Sequence, residues 1–396
     1  DAGAVGSVVN IGKEAARNGQ IYIGGWIRGA KAINLYSGLK VDGSQDFDLD
    51  VTGTIETLEG GIILNPGDNG VVMGDLIARG AGADIVINAK HTLELRGDLL
   101  AQDDIIITAG TTVTPGQRSI YTHGTSHFNT IDPDGIISIT GLNNVDINSA
   151  IGLESNQLRR LQITATEGTL WIVGKEYPPI LDKDGKPLQG AGNIQTGGEL
   201  LLSGQNVDIE GVVTSTRATA ARYDSEVVVS ATGAVVIHGD LNLAGSLRVS
   251  TGDDVRIPTT DLVAGSGQRI TINTAGDLLL GDAGLEATSK NPMAVTISAD
   301  RLVEFNVGGQ VVVAADALVF SEAADSSIRI ASGKLDIMGA LRAGARYNAT
   351  SGYVWSGSSG TVSITSNGII TLGGQGLDPT TFAPVTVGGT IASSGS

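Results

Sequence analysis

Apolar residues in this chain fall into short alternating runs broken by glycine and polar turns, with no helical spacing sustained over three turns. The chain reads Ile85-Val86-Ile87-Asn88-Ala89, then Leu93-Glu94-Leu95-Arg96-Gly97-Asp98-Leu99, then Ile105-Ile106-Ile107-Thr108-Ala109. Related phrases return at Leu200–Gly211, Val227–Leu241, Ile270–Gly281, Ile328–Leu341 and, more weakly, Val362–Gly373. Each phrase predicts a short strand with apolar residues at i and i+2, a turn rich in Gly, Asn, Asp, Ser or Ala, and a second such strand. Connecting helices of the βαβ kind are not predicted, and an antiparallel sandwich has no need of one recurring phrase.

Recurrence points to an all-β fold, a right-handed parallel β-helix with short strands and about 20 to 25 residues per coil. In such a solenoid, alternate side chains turn inward and equivalent positions of successive coils stack into Ile, Leu and Val ladders. Residues 1–396 read as a single continuous solenoid segment of a larger protein. Three stretches depart from the phrase and are expected to leave the coil as loops: 174–195, with three prolines and clustered charges, 118–130, and 345–355.

Composition sharpens this picture. With 57 Gly and only 4% aromatic residues, the chain has many tight turns and few side chains to fill a wide core. The absence of Cys removes disulfides and thiol chemistry, and suits a protein exported unfolded. A formal charge of -17 excludes nucleic acid as a partner, because the phosphate backbone would be repelled. No run of 18 apolar residues is present to act as a transmembrane helix.

The fullest copy of the phrase, Leu93 to Ala109, has the form Gly-x-Leu-x-Ala followed by Asp-Ile-x-Ile-x-Ala. It resembles the repeats of filamentous haemagglutinin-type adhesins of the two-partner secretion route, and of similar giant bacterial β-solenoid surface proteins. In degenerate form the resemblance extends over most of residues 60 to 375. It implies a secreted, cell-surface adhesin shaft or fibre, tied to the outer membrane through other parts of the parent chain. The implied partner is a receptor on a host cell, prey cell or surface, with a glycan among the candidates. Two alternatives are a structural subunit of a self-assembling extracellular filament, which would make a homo-oligomer, and a β-helix polysaccharide-degrading enzyme.

Candidate chemistry is sparse. Arg96-Gly97-Asp98 matches the adhesive tripeptide of some integrin ligands, but Gly97 is also the corner glycine of the repeat. Asp103-Asp104 and Asp253-Asp254 are acidic turn pairs, and Asp378 ends one Gly-Gly-x-Gly-x-Asp unit at Gly373–Asp378, so these five carboxylates are candidates for weak calcium binding. Solvated corners and a glycine turn are the plainer readings, and no cofactor other than calcium is expected. His123 and His127 lack a nearby third ligand for a transition metal. Carbohydrate cleavage needs paired carboxylates and aromatic platforms in one place, whereas Trp26, Trp171 and Trp355 are far apart and no segment gathers Asp, Arg, Lys and aromatics. The expectation is therefore a non-enzymatic protein.

Overall fold

A computed structural model of the chain describes residues 8–12, 19–29, 31–38, 48–152, 158–174, 192–216, 226–281, 295–348, 352–355, 360–377, 384–387 and 390–393. Every helix or strand element among them is a strand, and nearly all pair in parallel with the strand one coil away. The protein is a parallel β-helix with three strands per coil, one on each of three faces. One coil runs Ile85–Ala89 on the first face, Leu93–Leu95 on the second and Leu99–Ala101 on the third, and Ile105–Ala109 then returns to the first. On the first face Ile85 lies opposite Ile105 and Ile87 opposite Ile107, so this coil closes within the expected repeat length. The coils from Ile62 to Ile85 and from Val227 to Leu247 close in the same way. Longer coils, such as that from Ile105 to Ile137, carry an excursion at a corner without shifting the register of the strands.

By its internal packing the chain divides into two compact units, residues 1–205 with 216–224, and residues 206–215 with 225–396. In the first unit the core is a set of aliphatic ladders. The stacked pairs Ile62/Leu64, Ile85/Ile87, Ile105/Ile107, Ile137/Ile139 and Leu161/Ile163 are all fully buried. The second unit repeats this with Val227/Val229, Leu247/Val249, Ile270/Ile272, Val303/Phe305 and Ile328/Ile330. The narrow cross-section explains the scarcity of aromatics, since one aliphatic side chain per strand position fills the interior.

Two corner devices account for the repeat phrase. Gly25, Gly53, Gly74 and Gly97 stack between the second and third faces, and a Cβ on Gly97 would overlap the Gly74 carbonyl oxygen. Glycine is required here by the close approach of successive backbones. Beside it, Asp75 Oδ1 accepts the Asp98 N–H at 3.1 Å, and Asp98 Oδ1 accepts the His127 N–H at 2.8 Å. A corner Asp thus satisfies an amide that the shortened ladder leaves open one coil on. The same arrangement joins Asp84, Asp104 and Ile136 in the first unit and Asp254, Asp277 and Gln310 in the second.

The stretch 118–130 is not an irregular loop. Arg118–Thr122 pairs with Leu93–Leu95, and His127–Thr130 pairs with Leu99–Ala101. The stretch looks unlike the phrase because hydroxyls occupy inward positions near the corners. Ser119 Oγ accepts the Asn143 N–H at 2.9 Å, and Thr122 Oγ1 accepts the amides of Asn148 and Ser149 at 2.9 and 3.0 Å. The excursion in that coil precedes it, between Ala109 and Arg118. Ala345–Asn348 and Gly352–Trp355 pair with each other in antiparallel fashion, outside the parallel ladder. A second antiparallel pair, Gly374–Leu377 with Pro384–Val387, was not signalled by the sequence. Most of the stretch 174–195 lies outside the described residues, although Ile194–Thr196 is a third-face strand.

Candidate functional site

The side chains that the sequence scatters most widely meet on the second face of the first unit. Along each strand there the residue between the two core-facing positions points away from the core, and the register places these residues in one column, exposed at Tyr22 and Trp171 but buried at Val71 and Asp146. In coil order it reads Tyr22, Asp50, Val71, Glu94, Tyr121, Asp146 and Trp171. Aromatic or aliphatic residues occupy the odd coils and carboxylates the even ones. This alternation keeps the carboxylates two coils apart, about 9 to 10 Å at the usual strand spacing, so that like charges are never direct neighbours. The corresponding column of the second unit, Asp208, Val236, Arg256, Leu279, Val312, Asp336 and Thr371, has no aromatic residue.

The upper part of the column is the richest in chemistry. Arg118 Nε lies 2.5 Å from Asp146 Oδ2, and its guanidinium carbon stands 5.2 Å from the centroid of the Tyr121 ring, a cation–π contact. The Asp146 side chain is only 4% exposed, whereas that of Arg118 is 60% exposed. Burial raises the Asp146 carboxyl above its ordinary pKa and the Arg118 charge partly opposes this. One coil below Tyr121, Glu94 accepts from Arg96 Nε at 2.7 Å. His123 sits edge-on to Tyr121 with ring centroids 6.5 Å apart, and Trp171 is 39% exposed at the top. A nearly buried carboxylate, Asp146, and a half-buried one, Glu94, thus fix two exposed guanidinium groups, that of Arg118 beside the Tyr121 ring. The ladder brings Arg118 and Tyr121 of one coil together with Asp146 of the next, although no Lys joins them.

The tripeptide Arg96-Gly97-Asp98 lies at a packed corner. Arg96 is paired with Glu94, Gly97 is held against Gly74, and Asp98 accepts the His127 amide, with its carboxylate also 3.1 Å from His127 Nδ1. Among the calcium candidates, Asp104 and Asp254 each accept a backbone amide of the next coil. Asp103 carries a raised pKa, caused first by burial and then by repulsion from Asp104, Asp84 and Asp132. Asp253 is an exposed turn residue, and Asp378 lies outside the described residues. No group of three or more His, Asp or Glu side chains among the described residues is arranged to hold a metal ion.

A groove of about 390 Å³ runs beside the end of the first face in the first unit, along the outward column Asn65, Asn88, Thr108 and Thr140. Its polar atoms mostly serve each other. Asn88 Nδ2 donates to Asn65 Oδ1 at 3.3 Å, and Thr108 Oγ1 donates to Asn88 Oδ1 at 2.6 Å. These side chains knit the coils together and leave few free groups for a ligand. The second-face column is therefore the stronger candidate. Compared with models of protein families, with curated proteins and with solved structures, the chain gives no match.

Proposed function

We propose that this chain is part of an extracellular bacterial surface adhesin, in which stacked coils form the body of the protein and outward side chains engage the surface to which the cell attaches. The observation that carries this reading is the column from Tyr22 to Trp171, where in-register coils align aromatic and acidic residues along one face with Arg96 and Arg118 beside them. Structural needs alone would be met by any outward residue of good strand propensity. The acidic charge of -17 and the lack of Cys support an extracellular setting.

Immunogold labelling of intact producing cells, combined with attachment assays after deletion of the coding segment, tests the proposal. Surface label and loss of attachment are expected. Label confined to the cell interior, or undiminished attachment, would overturn it.

A further inference from the structure

We propose that the outward column of the second face binds a neutral, extended, β-linked hexose polymer lying along the stacking direction, with Tyr121 and Trp171 as its two sugar platforms. The inference rests on the attachment reading and names the ligand class and the residues.

Three features of the column carry it. The first is spacing. Tyr121 and Trp171 are separated by one intervening coil, that of Asp146, so their rings recur at about 9 to 10 Å along the column. In an extended β-linked hexose chain alternate rings present the same face, and they recur at a closely similar interval. Aromatic residues two coils apart, as Tyr121 and Trp171 are, therefore meet equivalent faces of alternate sugars. Tyr22, four coils before Tyr121 and 67% exposed, falls on the same even count. A helically coiled α-linked chain would not keep this register.

The second feature is charge. Within the upper column each guanidinium has a carboxylate partner, Arg96 with Glu94 and Arg118 with Asp146. The patch is locally balanced on a chain of charge -17, so a polyanionic glycan gains no attraction and meets an overall repulsive field. The third feature is preorganisation. Arg118 is held at its Nε by a nearly buried carboxylate, with its guanidinium carbon 5.2 Å from the Tyr121 ring centroid, which sets its terminal nitrogens beside the platform. Sugar recognition needs this pairing of an apolar ring face with a few oriented hydrogen-bond donors.

The test is calorimetric titration of the folded chain with cellohexaose, with maltohexaose as the α-linked counterpart and heparin as the polyanion. Cellohexaose should bind, with maltohexaose and heparin at least about tenfold weaker. Trp171→Ala and Tyr121→Ala should each weaken cellohexaose binding by about tenfold or more, and Trp171→Phe should restore most of it. Trp26→Ala, which removes an exposed aromatic outside the column, should leave binding unchanged. Circular dichroism of each variant confirms that the β-helix is intact. Equal affinity for all three ligands, or unchanged affinity in the folded Trp171→Ala and Tyr121→Ala proteins, would overturn the proposal. If the chain supports cell attachment yet binds no cellohexaose, the glycan inference fails while the attachment reading stands. If it binds cellohexaose but cells lacking it attach normally, the attachment reading fails instead.

Discussion

Arg118 and Asp146 stand on neighbouring coils of the second face, with Arg118 Nε 2.5 Å from Asp146 Oδ2. The pair is asymmetric. Asp146 is nearly buried and its pKa is raised by burial, while Arg118 is mostly in solvent and keeps the carboxylate from being displaced further. The stability of this coil at neutral pH therefore depends on the Arg118 charge more than an exposed ion pair would suggest.

Replacing Arg118 by Ala leaves the buried Asp146 charge without its counterion. The expected cost is about 2 kcal/mol at neutral pH, below the full penalty of a buried pair because Arg118 is well exposed. It should shrink as the pH falls and Asp146 takes up a proton. Adding Asp146→Asn to Arg118→Ala should recover most of the loss. Amide exchange in Arg118–Thr122, Asn144–Ile147 and Arg160–Ile172 measures it, since stacked coils open locally. Unchanged exchange in the single variant would show that Asp146 is not held by this pair.

The coil and its corners are legible in the sequence, whereas the column is not. Gly97 and Asp98 announce their corner because every regular coil needs a close-approach glycine and an amide acceptor at that point. Ser119 and Thr122 hide their strand because buried hydroxyls resemble a loop until their amide partners are seen. The column is hidden for another reason. Its members are unevenly spaced along the chain, Asp50 and Val71 lying closer in sequence than Tyr22 and Asp50, so no fixed period aligns them. Corner excursions change coil length without changing strand register, and only the ladder restores the alignment.

The packed corner at Gly97 makes a prediction about the adhesive tripeptide. Gly97→Ala should destabilise the coil locally by more than about 1 kcal/mol, where Ala at an uncrowded Gly would be stabilising, because its Cβ would overlap the Gly74 carbonyl. Asp98→Glu, which alters the tripeptide, should leave attachment unchanged. Loss of attachment in a folded Asp98→Glu protein would return the tripeptide to the binding site.

Ile107 tests the ladder itself. It stacks between Ile87 and Ile139, and all three are fully buried. Ile107→Ala should cost about 3 to 4 kcal/mol, since neighbours held by parallel ladders on both sides cannot collapse into the cavity. The loss should appear as faster exchange in Ile85–Ala89, Ile105–Ala109 and Ile136–Gly141. A uniform change across the whole chain would mean that the coils unfold together and not as separable stacked elements.

Asp103 should show the opposite pH behaviour to a stabilising carboxylate. Its pKa is raised above the ordinary 3.8, first by burial and then by the charges of Asp104, Asp84 and Asp132. The folded state then holds the proton more tightly than the unfolded chain. The resulting stabilisation is present below the ordinary carboxylate pKa and is lost as the pH rises through the raised folded value. At neutral pH the ionised group opposes folding, so Asp103→Asn should stabilise this corner by a few tenths of a kcal/mol once solvent screening is allowed for. The gain should vanish near pH 3, where the wild-type group is already neutral. Added salt should reduce the part due to Asp104, Asp84 and Asp132 and leave the burial part in place. Denaturation followed by exchange in Ile105–Ala109 and Ile136–Gly141 at pH 3 and 7, with and without salt, measures each part. A variant less stable than the wild type at pH 7 would mean that the Asp103 carboxylate contributes a favourable contact, such as a bound cation, which its repulsive neighbours would then be serving to hold.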